Sequence, residues 1–285
     1  MQDLHIHMFP GRKDSPGEFL DKTRSAGVTG GAVMSMYPET FGKEDEDQRW
    51  EARVDAILDF CSQAPGFRPM FWVDPTEEDA IEQVRGAVEK GIAGFKVICN
   101  HFYPVEGKKV YQAIAETGLP LMFHSGVLYN KQPSSDFNRP MSFEFLMDVK
   151  DLRYSLAHVS WPWSAELVSL FGKLNCLAAR YAENRGAMYF DITPGTPPIF
   201  RREALRWIYM IGCKVKHRVL WGTDCLANNY RPEYALYWQK LDKEIMDEIA
   251  SDPNRYRVAG QDEYDYSDIW ELAIDKNFDD FFGKK

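Results

Sequence analysis

Eight short runs of β-forming apolar residues recur along the chain, each followed by a helical pattern, and this alternation limits the fold more than any single motif. The runs are Asp3–Phe9, Val28–Tyr37, Phe67–Val73, Gly94–Ile98, Leu119–His124, Arg153–His158, Met188–Thr193 and Val219–Gly222. Strand–helix alternation at this rhythm makes parallel βα units, since parallel neighbours need a crossover where antiparallel ones need only a turn. Eight such units predict an α/β fold, a (β/α)8 TIM barrel, which typically takes ~250 residues. The rival is an open doubly wound sheet. It wants a glycine-rich phosphate turn after its first strand, and Met8-Phe9-Pro10-Gly11 is not one.

The helical signals agree with this plan. Glu77 to Lys90 carries Ala80, Ile81, Val84, Ala87 and Val88 as one apolar stripe, with Gly91 as its stop. Ser15 and Pro16 read as the N-cap and first residue of a helix reaching Ala26. No Pro- or Ser-rich linker divides the 285 residues, so a single domain over 1–285 is expected, with a helical C-terminal extension over about 240–285. A 45% hydrophobic content supplies the core of such a domain.

Charge and targeting narrow the function class. The net charge of −9 argues against nucleic acid or an anionic membrane surface as partner, and leaves a small-molecule substrate, with homo-oligomerisation open. No apolar run is long enough to span a bilayer, and acidic Asp3 without an apolar stretch behind it does not begin a signal peptide. Five widely spaced cysteines without a CxxC pair read as free thiols in a cytoplasmic protein.

The polar residues inside these runs gather at one end of the predicted barrel. On a strand His5 and His7 share a face, while Leu4, Ile6 and Met8 point the other way. Lys96 lies on strand four, His124 and His158 end strands five and six, and Asp224 follows strand eight. Enzymes on this fold carry their chemistry at the carboxyl ends of the strands. Each residue has an ordinary reading alone: a snorkelling lysine, a capping histidine, a satisfied core histidine, an Asx turn. Together they need separate coincidences at successive strand ends, and a divalent metal site accounts for all of them. His101, in a loop, and His217, at the opposite end, receive no role. Asp74 reads as a turn residue and Asp191 as a buried acceptor, either of which could support the ligands.

This set resembles the amidohydrolase superfamily of metal-dependent barrel enzymes. The phrases Gly94-Phe95-Lys96, Ala157-His158-Val159-Ser160 and Gly222-Thr223-Asp224, with Asn277-Phe278 and Phe281-Phe282-Gly283 near the end, are most similar to its amidohydrolase-related branch. That branch also holds decarboxylases of the aminocarboxymuconate-semialdehyde and resorcylate type. The resemblance covers nearly the whole chain, with no room for the flanking β-sandwich of urease-like members. It implies one Zn²⁺ on His5, His7, His124 and Asp224, with His158 as a neighbouring acid/base and Lys96 an ammonium aimed at substrate. If Lys96 is carboxylated it implies two ions, the second on His124 and His158. The implied reaction is hydrolysis of a small amide, lactone or ester through a metal-activated water. Asp224 would shuttle the proton and His158 would stabilise the oxyanion. The alternative is decarboxylation of a small aromatic or unsaturated acid. Rim candidates Phe9, Arg12, Lys13, Tyr37, Arg139, Trp161 and Trp163 suggest a small acid or lactone as substrate.

Overall fold

The computed structural model describes residues 1–11, 14–176, 186–252 and 265–283, with Cys176 described by its backbone alone. Nine parallel strands curl into a barrel: β1 Gln2–His7, β2 Gly30–Met34, β3 Phe67–Trp72, β4 Gly94–Val97, β5 Leu121–Phe123, β6 Arg153–Leu156, β7 Ala187–Asp191, β8 Val219–Leu220 and β9 Cys225–Leu226. All eight expected strands are present, and the eighth is broken in two. Its first half, β8, pairs with β7, and its second half, β9, pairs with β1. Gly222-Thr223-Asp224 bends out of the sheet between them, with Asp224 in the left-handed region at φ 59. The ring closes on β1 through Leu4 N–H to Trp221 O at 3.0 Å, Asp224 N–H to His5 O at 2.8 Å and Ala227 N–H to His7 O at 2.8 Å.

Helices clothe the ring, among them α1 Pro16–Ser25, α2 Trp50–Gln63, α3 Ala80–Lys90, α4 Lys108–Thr117, α5 Ser164–Phe171, α6 Pro198–Met210 and α7 Pro232–Ser251. The start of α1 follows the sequence reading. Ser15 Oγ accepts the Glu18 N–H while the Glu18 carboxylate accepts the Ser15 N–H, a reciprocal capping box. Helix α3 begins at Ala80, not Glu77, because Glu77 and Asp79 both accept from the Gln83 side-chain amide, at 2.5 and 2.9 Å. The helix expected around Phe143 is a 3-10 segment, Pro140–Asp148.

The pattern on β1 corrects one expectation. Its register against β2 slips between Asp3 and Ile6, so strict alternation fails there. Ile6 packs outward under the helices, as predicted, but Leu4 packs with Met34, Met70, Met122, Tyr189 and Leu220 on the floor of the barrel. The last helix, Asn277–Phe282, seals that floor with Phe278, Phe281 and Phe282. Arg68 lies 4.8 Å from the Phe282 ring centroid and pairs with Asp279 at 3.1 Å, fastening the seal to β3.

The cysteines also depart from expectation. Cys61, Cys99 and Cys225 are free and buried, but Cys213 is disulfide-bonded. Spacing along the sequence says nothing of distances across a fold, so five free thiols did not follow from the missing CxxC. The cysteines therefore do not indicate a compartment. No helix among the described residues is long and apolar enough to cross a membrane.

Candidate metal centre and active site

The carboxyl ends of the strands bring four of the expected side chains into contact. His5 Nε2 lies 3.1 Å from His7 Nε2 and 3.2 Å from Lys96 Nζ. Asp224 Oδ1 stands 3.6 Å from the first imidazole nitrogen and 3.5 Å from the second. His158 joins them: ligand atoms of His5, His158 and Asp224 all fall within 4.8 Å of one another. His124 stacks near His158, with ring centroids 4.9 Å apart, while its Nε2 lies 3.3 Å from Val127 O.

Hydrogen bonds fix two of these rings. His5 Nδ1 donates to Asp191 Oδ2 at 2.7 Å, so the His5 Nε2 lone pair faces the cluster. Asp191 is itself held by the backbone N–H of Thr193 at 2.8 Å and by the Thr193 hydroxyl. His158 Nδ1 donates to Pro194 O at 3.0 Å, which leaves its Nε2 as an acceptor. A neutral ring in that tautomer cannot donate to an oxyanion.

Two further devices shape the centre. Asp3, fully buried on the other side of β1, accepts from the His5 and Thr223 N–H groups and from the hydroxyls of Thr223 and Tyr230, over 2.7 to 3.1 Å. It ties the first strand to the bend that presents Asp224. Two glycines make room for imidazoles. A Cβ on Gly222 would lie 2.8 Å from His5 Cβ, and one on Gly195 would lie 2.7 Å from His158 Cβ. Asp3, Gly195 and Gly222 were not singled out from the sequence. Asp3 lies two residues from His5 on a strand, a spacing that hinted at a shared structural unit.

The backbone at the site is strained. His158, Val159 and Ser160 run at φ 61, 51 and 49, and a β-branched residue in that region is a true outlier. Hydroxyls hold this turn. Thr196 Oγ1 donates to His158 O at 3.2 Å, and Ser164 Oγ donates to Val159 O at 2.9 Å.

Burial governs the charges. His5, His7 and His124 are held well below the usual imidazole range, first by burial and then by one another and the Lys96 ammonium. His158 is lowered to about 4 by burial, against the pull of Asp191. The four rings are therefore neutral near pH 7 and can ligate a metal. Lys96, fully buried, is lowered by burial, opposed by Asp191 and Asp224. The Asp224 carboxyl is raised because its surroundings displace water, with Lys96 opposing, although 38% of its side chain is open to the cavity.

This donor set suits a divalent cation. The His5 lone pair points at a second imidazole nitrogen and a carboxylate, so the cluster is short of positive charge between its members. Among the described residues the Lys96 ammonium is the one cation that bonds to it. Among the described residues His7 Nδ1 is buried without a hydrogen-bond partner, while its Nε2 faces His5 Nε2 and Asp224.

Above the cluster opens a cavity of about 330 Å³, lined by His7, His124, His158 and Asp224 below and by aromatic and aliphatic side chains above. Phe9 and Trp161 line it, as expected of rim residues. Lys96 is not among the lining residues; its ammonium lies 3.2 Å from His5 Nε2, beneath them. Tyr37 stands behind the wall, bonded to Glu44. Arg139 is paired with Glu166 at 2.8 Å and lies over Trp163, away from the cavity. Arg12 and Lys13 lie outside the described residues.

Comparison with known proteins agrees with this picture. A family model described as amidohydrolase matches residues 3–260. No curated protein matches the chain in sequence. Among solved structures, a dihydroorotase from Campylobacter jejuni is similar with a TM-score of 0.55 at 13% identity, over 100% of this chain and 83% of that one. A wild-type sialic acid aldolase from Ruminococcus gnavus gives 0.48 at 15% identity, over 87% and 76% of the two chains. At such identity the likeness to the dihydroorotase is one of fold.

Proposed function

The chain belongs to the amidohydrolase family, and on that premise we propose that it is a metal-dependent hydrolase of a small amide, lactone or ester. The observation that carries this reading is the position of Asp224. Its carboxylate touches both imidazoles of His5-Ile6-His7 and also opens onto the cavity, so one group meets ligands and substrate together.

In this reading one divalent ion, zinc by the preference of imidazole and carboxylate donors, is held by His5, His7, His124 and Asp224. Such an ion supplies Lewis acidity to a carbonyl oxygen and lets water ionise near neutral pH. The protein's own groups do the rest. Asp224, with its raised pKa, takes a proton from water and hands it to the leaving group. His158, neutral and with Nε2 free to accept, stands ready as a second proton acceptor. Asp191 keeps His5 in its ligating tautomer. Lys96 donates to His5 and offsets the nearby carboxylates; carboxylated, it would instead bridge two ions.

Decarboxylation is the second reading, favoured by the apolar upper cavity, which would desolvate a substrate carboxylate. A panel of amides, lactones, esters and aromatic acids, with acid release and CO₂ release followed separately, tests both. Acid release without CO₂, abolished by a chelator and by Asp224→Asn, is expected. CO₂ release from an acid, with no hydrolysis across the panel, would overturn the hydrolase reading.

A further inference from the structure

We infer that the cavity selects a flat, uncharged, apolar group on its substrate, held between two aromatic walls. The inference rests on the hydrolase reading only in taking the polar end of the substrate to face Asp224.

One wall comes from the ends of the first three strands. Phe41 packs on Trp72 with centroids 4.8 Å apart, and buried Tyr37 braces Phe9 and Phe41 from behind at 5.2 and 5.3 Å. The other wall follows β6, which lies across the ring because the second and sixth of eight strands are opposite. There Trp161 lines the cavity, stacked on Phe200 at 4.5 Å with 23° between the planes. Both walls are thus propped by rings outside the cavity, and Ile98 and Leu128 fill the side between them. A planar apolar group gains area burial and ring contacts from such a slot.

Charge points the same way. Asp224 is the one carboxylate among the described lining residues, and no lysine or arginine stands among them. Lys96 is committed below to His5, and Arg139 outside to Glu166. A second charge on the substrate, away from its reacting end, would lose water to a wall of rings with no described partner.

The test holds the reacting end constant and varies the other. Calorimetric titration of the metal-loaded full chain would compare 4-methylbenzamide, 4-carboxybenzamide, 4-(aminomethyl)benzamide and 4-methylcyclohexanecarboxamide. The neutral aromatic amide should bind about tenfold or more tightly than either charged analogue, and more tightly than the cyclohexane. Phe41→Ala and Trp161→Ala should each weaken it about tenfold, while Phe41→Leu and Trp161→Phe keep most of the affinity. Equal or tighter binding of 4-carboxybenzamide to the wild-type protein would overturn the inference, and that comparison needs no variant to fold. Binding is read without turnover. Neutral selectivity with no hydrolysis of any amide, lactone or ester would sink the hydrolase reading alone, and hydrolysis without neutral selectivity would sink this inference alone.

Discussion

His5 Nδ1 and Asp191 Oδ2 lie 2.7 Å apart, joining the first strand to the seventh through the interior of the barrel. The bond fixes which nitrogen of His5 carries the proton, and so which one can hold a metal. Asp191→Asn keeps the volume but can present an amide N–H to His5 and reverse that choice. Metal affinity should fall about 10- to 100-fold, with the melting temperature of the metal-free protein little changed. Competition with a chromophoric chelator measures it, and an unchanged affinity would remove Asp191 from the account.

Asp224 and the two outer histidines can be separated by what each variant loses. Asp224→Asn should lower kcat by at least about 10²-fold. His124→Ala should lose the metal, whereas His158→Ala should keep most of it and lose turnover. Elemental analysis beside steady-state kinetics reads both. Should His158→Ala lose the metal while His124→Ala retains it, the two histidines exchange roles, as the grouping of His158 with His5 and Asp224 would allow.

Below pH 7.5 the metal-free fold is pulled two ways: the lowered histidines lose stability as acid is added, while the carboxyls of Asp3 and Asp224, raised to about 7 by burial, gain it. A histidine lowered in the folded state takes up a proton on unfolding whenever the pH lies between its two pKa values. Its contribution is intact above about 6.5 and is lost as pH falls towards the folded value. For His158, lowered to about 4, this amounts to roughly 2 kcal/mol between pH 7.5 and pH 5, and His5, His7 and His124 add in the same direction. Urea unfolding of chelator-treated wild type and His158→Gln at the two pH values isolates the share of this histidine; a variant that changes with pH just as the wild type does would mean that the ring is not neutral in the fold.

Phe281, fully buried in the floor, gives a stability test that spares the centre. Phe281→Ala should cost about 3–5 kcal/mol. The folded fraction should retain its metal stoichiometry. A loss below about 1 kcal/mol would show that the last helix does not close the barrel.

Much of this molecule could be read from local pattern. The strand–helix rhythm located β1 to β8 but not β9, and period two placed His5 and His7 side by side. Asp191 was legible as a buried acceptor because a carboxylate inside an apolar strand needs a donor. What escaped depends on contacts far apart in sequence. The slip on β1 that turns Leu4 inward is set by its neighbour β2, not by its own residues. The break in strand eight is held open by Asp3, some 220 residues away. Glycines 195 and 222 look like ordinary turn residues until an imidazole is found against each. Arg139 misled for the same reason: it has a carboxylate partner, Glu166, that only the fold reveals.

The split eighth strand has a consequence for how the protein comes into being. During synthesis β1 is made well before its partner β9, the carboxylate of Asp224 and the last helix of the floor beneath Leu4. No nascent fragment short of residue 224 contains the metal cluster, and none short of 282 has a sealed floor. An exposed first strand with two unsatisfied imidazoles is therefore a normal stage in the life of the chain. The cluster of His5, His7, Lys96, His158 and Asp224 is complete only after Asp224 has been made.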